Sequence, residues 1–222
     1  MKKFGFTLAE VLITLTIIGV IAAITMPALM TNATEAQYKT AFKKALNTLS
    51  EAGQASGAID GFDYASLNTT SYGNKDAMSL YGLLANRTQI DLSKSGKVST
   101  DATRKLVDTA TNNYVVFFRD GTSLAYNATA TTAAASRRVF DGQPWGFAAV
   151  VDVNGARKPN QLSNCSGNRT MRAGGSTSKD TSNRAACDDD GQRVIRDQFS
   201  VRFRGSTVIP NGAASSWVVN NN

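Results

Sequence analysis

The feature that most limits what this chain can become is an almost unbroken apolar run over residues 11–30. A single carboxylate, Glu10, stands at its entrance, and Lys2 and Lys3 lie just ahead. About 20 residues at about 1.5 Å each cross the roughly 30 Å hydrocarbon core of a bilayer, so the run predicts a membrane-spanning helix. The two lysines hold its amino end on the cytoplasmic side. A secretory signal carries a shorter apolar core and a small-residue cleavage site after it. This run is too long for that, and it opens on an acid. A carboxylate at the edge of a span is costly unless neutralised, so Glu10 asks for a partner from outside its own segment.

Beyond the span the apolar period continues in a more polar setting. Tyr38, Ala41, Phe42, Ala45, Leu46, Leu49 and Ala52 recur at three- and four-residue steps between Lys39, Lys43, Lys44, Asn47 and Ser50, which is the pattern of an amphipathic helix. Gly53 and Gly57 are read as its end, giving one helix from about Phe6 to about Ala52, roughly 70 Å long. Gly19 and Pro27 are its soft points. Proline removes a backbone hydrogen bond and clashes with the preceding turn, so a bend or local melting is expected near Pro27.

The remainder reads as a small, loop-rich sheet domain. Residues 60–108 mix Gly, Asn, Ser and Thr with short apolar clusters, with one short helix near residues 78–84. Residues 114–119 and 122–126 flank Asp120-Gly121, a strong hairpin signal, because Asp-Gly supplies the backbone angles of a tight turn. Residues 146–153 form another apolar strand ending at Asn154-Gly155. Phe199, Val201 and Phe203 alternate with Ser200, Arg202 and Arg204, which predicts a strand with one buried and one wet face; Val208 and Ile209 extend the sheet.

Charge and residue types exclude several functions. The formal charge of +7 falls to +5 without Lys2 and Lys3, at 22 basic against 17 acidic side chains. This mild excess is compatible with an anionic partner such as DNA, but the arginines between residues 137 and 204 are dispersed, as on a solvated face. There is no histidine and there are two cysteines, too few for a tetrahedral zinc site. No matched acid and base or activated nucleophile is in view, so the chain does not read as an enzyme and needs no cofactor. Cys165 and Cys187 lie in one polar stretch, where a disulfide closing roughly twenty residues would contribute about 3 kcal/mol in an exported protein. Asp152 and Asn154, with Asp188 and Asp190, are candidate oxygen ligands for calcium, although a full calcium loop is absent and an Asx-rich turn explains the same residues.

The amino terminus reads Lys2-Lys3-Phe4-Gly5, then Phe6-Thr7-Leu8-Ala9-Glu10 and the apolar run. It resembles the type IV pilins and the pseudopilins of type II secretion, which share a basic leader ending in Gly, then Phe-Thr-Leu-x-Glu and an apolar helix. The resemblance implies cleavage between Gly5 and Phe6 by a prepilin peptidase, N-methylation of the new Phe6 amine, and assembly in which Glu10 of one subunit neutralises the Phe6 amine of its neighbour. It also implies the α+β pilin fold, one long helix on an antiparallel sheet of about four strands. The expected organisation is a leader over residues 1–5, a transmembrane and assembly helix over 6–30, and an exported globular domain over 31–222.

The implied function is a structural subunit of a type IV pilus for adhesion, motility or DNA uptake. The implied partners are sister pilin subunits, the peptidase and methylase, an assembly platform and the inner membrane. The chain would be a single-pass inner-membrane protein before assembly and part of a surface filament after it. One alternative is a pseudopilin in a periplasmic pseudopilus. The other, of a different class, is a membrane-tethered binding domain that never polymerises.

Overall fold

The computed structural model of the chain describes residues 5–67, 78–95, 113–127, 139–140, 143–144, 147–155, 157, 160–165 and 193–220. They fall into two compact units, Met1–Gln37 and Tyr38–Asn222. The elements run α1 (Leu8–Ile59), α2 (Leu80–Arg87), β1 (Asn113–Phe117), β2 (Ser123–Asn127), β3 (Val139–Phe140), β4 (Gln143–Pro144), β5 (Phe147–Asp152), β6 (Asn164–Cys165), β7 (Arg193–Val194), β8 (Gln198–Arg204), β9 (Thr207–Pro210) and α3 (Ala213–Asn220).

Within the first unit, α1 runs without a break through Gly19 and Pro27. Its large apolar side chains from Leu8 to Met30 are 45–80% exposed. Nothing within this unit covers them, so the segment is a helix that satisfies its backbone internally and leaves its apolar surface for another phase.

In the second unit the same helix is amphipathic. Phe42, Ala45, Leu46, Leu49 and Ala52 are buried, with Tyr38 and Ala41 half-buried beside them, as the period of three and four predicts. The helix does not stop at Gly53. It continues to Ile59, and Gly61 follows with φ of +74°, a left-handed residue of the kind that ends helices. Gly53 serves a different purpose. A Cβ there would overlap the Tyr64 ring and lie 2.5 Å from the Ser206 carbonyl oxygen, so only glycine lets the tyrosine lie against the helix. Tyr64 is 1% exposed, and its hydroxyl donates to the Leu49 carbonyl at 2.5 Å. Burial pushes the Tyr64 phenol well above its ordinary range.

The sheet has five antiparallel strands in the order β1-β2-β5-β8-β9, one more than expected; the fifth is the Val208-Ile209 extension. Asp120-Gly121 turns β1 into β2, with Phe118 N–H donating to Thr122 O at 2.9 Å. Asp120 accepts from Thr122 N–H and Oγ1, and Lys44 of α1 reaches it at 3.1 Å. One face of the sheet carries Val116, Leu124, Val151, Phe199, Val201 and Phe203 into the core with α1. Phe42 stacks on Phe199, and Phe147 on Phe203.

The other face of β8 is less wet than alternation implies. Gln198 and Ser200 are buried, while Arg202 and Arg204 are half-buried. The cause is polar satisfaction: Gln198 Nε2 donates to Asp152, and Asn211, just beyond β9, donates to Ser200 Oγ at 3.0 Å and accepts from Arg202.

Serine hydroxyls bond one residue on each outer strand of this sheet, and on the β1 side the Asp91 N–H also donates to Phe117 O at 2.7 Å. Ser50 of α1 accepts from Val208 N–H at 3.0 Å and donates to Val208 O on β9. Ser95 does the same for Phe117 on β1, accepting from N–H at 2.9 Å and donating to O. Pro210 sits on β9, an edge strand, where its missing N–H costs the ladder nothing.

The short helix expected near residues 78–84 is α2. Ser79 caps it, accepting from Gly82 N–H at 2.9 Å, and Arg87 at its end binds Asp60.

Candidate functional site

The residues that carry the sequence signature meet at the start of α1. Gly5, Phe6 and Thr7 lie outside the helix, which begins at Leu8. Thr7 is its cap. Its Oγ1 accepts from Glu10 N–H at 3.3 Å, and Glu10 reaches back so that Oε2 accepts from Thr7 N–H and from Thr7 Oγ1, both at 2.8 Å. This is a reciprocal capping box, in which two helix-end donors that lack intrahelical partners find acceptors. The spacing of Thr7 and Glu10 ahead of an apolar run is a local signal for it. Sequence reasoning took Glu10 alone and missed its link to Thr7.

The bond between Gly5 and Phe6 therefore falls in non-helical chain immediately outside a capped helix, and the Phe6 side chain is 90% exposed. A peptide in this state is open to a peptidase, whereas one inside a helical ladder is not.

From Glu10 to Glu35 the chain carries no charged side chain. Its threonines satisfy themselves. Thr14 donates to Val11 O, Thr16 to Leu12 O, Thr25 to Ile21 O and Thr31 to Pro27 O, at 2.7–3.0 Å. Hydroxyls bonded to the preceding turn can enter an apolar phase with little penalty. Glu10 is thus the one ionic group set against a long apolar surface. Among the described residues, α1 is the one helix long and apolar enough to cross a membrane.

A second polar cluster lies in the other unit, at the end of β5. Asp152 is 2% exposed. Its Oδ1 accepts from Asn154 N–H at 3.1 Å and its Oδ2 from Gln198 Nε2 at 3.0 Å. Asn160, in the amide orientation that satisfies both its ends, donates to Asp152 Oδ2 at 3.1 Å and to Arg157 O at 2.9 Å. Asp197, fully buried, accepts from the Asn160 and Gln161 N–H groups at 2.6 and 2.8 Å. Burial, with the Asp197 charge adding to it, pushes Asp152 up to about 7 against the hydrogen bonds from Gln198, Asn154 and Gly155.

Of the candidate calcium ligands, Asp152 and Asn154 come together, while Asp188 and Asp190 lie outside the described residues. The Asp152 oxygens face N–H donors, the chemistry of a hydrogen-bonded turn. Among the described residues no group of three or more His, Cys, Asp or Glu side chains could hold a metal ion. Cys165 ends β6, and Cys187 lies outside the described residues, as does the disulfide expected between them. Asp197 and Gln198 were not singled out from sequence, since their role depends on the pairing of Asp152 with Gln198 across β5 and β8; Asn160 was noted as part of a motif with Asp152 and Asn154, without this role.

Comparison with known families finds that residues 1–26 match the model described as the prokaryotic N-terminal methylation motif. Comparison with curated proteins gives no match, and neither does comparison with solved structures.

Proposed function

From the signature of type IV pilins and pseudopilins in residues 1–26, we propose that the chain is a structural subunit of a type IV pilus. It is cut between Gly5 and Phe6, methylated on the Phe6 amine, and assembled by packing of its amino-terminal helices. The observation that carries this reading is the exposed apolar surface of α1 from Leu8 to Met30, led by Glu10 as its single charge. In a packed core of such helices the Glu10 carboxylate and a neighbour's Phe6 amine neutralise each other. A buried pair of this kind adds little net stability, but removing one member leaves the other unpaired at a cost of about 3–5 kcal/mol, so its main effect is to set register.

Before assembly the subunit spans the inner membrane once with its sheet domain outside the cytoplasm. Its partners are sister subunits, a prepilin peptidase and methylase, and an assembly platform. A periplasmic pseudopilus of a secretion system uses the same amino-terminal chemistry and is the second reading; in its favour, the strand that runs into Asp152-Val153-Asn154-Gly155, followed by Pro159-Asn160, resembles a motif of major pseudopilins.

The deciding experiment compares intact masses of the protein in a fraction sheared from the cell surface and in the membrane fraction. Abundant sheared protein starting at methylated Phe6 supports a surface pilus. Cut protein confined to membranes supports the pseudopilus, and protein that keeps its leader in both fractions overturns both.

A further inference from the structure

The chain holds two Asn-Gly steps, Asn154-Gly155 and Asn211-Gly212, and both glycines have positive φ, +70° and +90°. Such a step is chemically labile, because a glycine nitrogen carries no neighbouring side chain to block its approach to the preceding asparagine amide carbon. At Asn211 that amide is held by three hydrogen bonds. Its Oδ1 accepts from Arg202 Nε at 3.3 Å and Nη2 at 3.1 Å, and its Nδ2 donates to Ser200 Oγ at 3.0 Å. We propose that Asn211 is a self-modification site, converted to aspartate or isoaspartate without an enzyme while Asn154 is spared, with Arg202 steadying the oxygen on which charge develops.

In the first step the Gly212 nitrogen loses its proton to hydroxide and bonds to Asn211 Cγ, and negative charge develops on Oδ1. The Cγ–Nδ2 bond then breaks, and the amide nitrogen takes a proton from water and leaves as ammonia. Water opens the resulting five-membered imide at either carbonyl. The guanidinium fork already lies on the oxygen that becomes negative, which is where fixed positive charge lowers the barrier. Asn211 is half-buried, so water reaches the ring. The product carboxylate pairs with the same guanidinium through charge-assisted bonds.

The other step sits in the opposite setting. The Gly155 N–H, the nitrogen that would attack, already donates to Asp152. An oxyanion at Asn154 would form two residues from the buried Asp152, whose own neighbour is the buried Asp197, so like charge opposes it. The two steps share a dipeptide and a backbone sign and differ in what surrounds them.

The experiment incubates the full-length chain in detergent, folded and in denaturant, in mildly alkaline buffer. Peptide mapping by mass spectrometry follows the amide-to-acid mass gain at each asparagine, and each folded rate is divided by that of the same step in denaturant. Asn211 should convert at least about tenfold faster than Asn154 on this scale, and Arg202→Gln should slow Asn211 about tenfold, the size expected for lost hydrogen bonds to a charged group. Conversion of Asn154 as fast as Asn211 overturns the proposal. So does an Asn211 that stays intact while the denatured chain converts, which would make Arg202 and Ser200 a protective clamp, or a folded Arg202→Gln chain that converts Asn211 at the unsubstituted rate or faster. Near-ultraviolet circular dichroism checks that the variant folds; if it does not, the two steps of the unsubstituted chain decide.

Discussion

The Phe42 ring in α1 lies almost flat on the Phe199 ring in β8, with centroids 4.2 Å apart and planes 15° apart, and both side chains are fully buried. This stack fastens the amphipathic part of the helix to the centre of the sheet. Phe42→Ala should destabilise the folded domain by about 3–5 kcal/mol, through lost transfer free energy and the cavity left behind. Denaturant unfolding of the detergent-solubilised chain, followed by tryptophan fluorescence, measures it; a loss under about 1 kcal/mol would show that the helix is held elsewhere.

Gly53→Ala is the opposite perturbation. In an exposed helix this exchange stabilises by about 1 kcal/mol. Here the added methyl group meets the Tyr64 ring and the Ser206 carbonyl, so a net destabilisation of about 1–3 kcal/mol is expected. A rise in the unfolding midpoint would contradict the close approach of Tyr64 to the helix.

Asp152 gives the domain a pH dependence of definite sign. Its carboxyl moves from an ordinary 3.8 to about 7 in the folded chain, so between those values the folded state holds a proton that the unfolded state has released. Its contribution to stability is therefore fully present below pH 4, declines as pH rises, and levels off above about 7. Asp152→Asn should remove this slope and unfold at a higher temperature than the unsubstituted chain at pH 8, with the gap closing near pH 4. Parallel melting curves of the two chains would rule the account out.

Glu10→Val should leave the leader removable and abolish assembly, because the Phe6 amine of a neighbour would then be buried without a counter-charge. Intact mass of the membrane fraction checks the first half, and the amount of sheared filament checks the second. Wild-type assembly by Glu10→Val would favour a tethered domain that never polymerises.

Much of the fold was readable because its signals are local. The buried stripe from Phe42 to Ala52 follows a helical period, and Asp120-Gly121 marks its hairpin within two residues. Gly53 was misread as a helix end because a glycine's meaning depends on what lies opposite, and Tyr64 is eleven positions away across a turn. The Asp152 cluster was half seen. Its aspartates and amides are ordinary loop residues until the register of β5 and β8 brings residues 152 and 198 side by side. The start of α1 was legible in its chemistry, but the weight given to Glu10 hid the threonine three residues before it.

Ser50 and Ser95 each offer one oxygen to an edge residue, taking its N–H and answering its carbonyl. In effect each is a strand one atom wide. Edge strands recruit other chains because such groups stand unpaired, and here the pairing is used up at Val208 by Ser50, and at Phe117 by Ser95 together with the Asp91 N–H. A chain with so much exposed apolar surface on α1 must avoid a second, disordered way of sticking to itself. Replacing Ser50 by alanine would leave the Val208 N–H and carbonyl without this partner at the β9 edge.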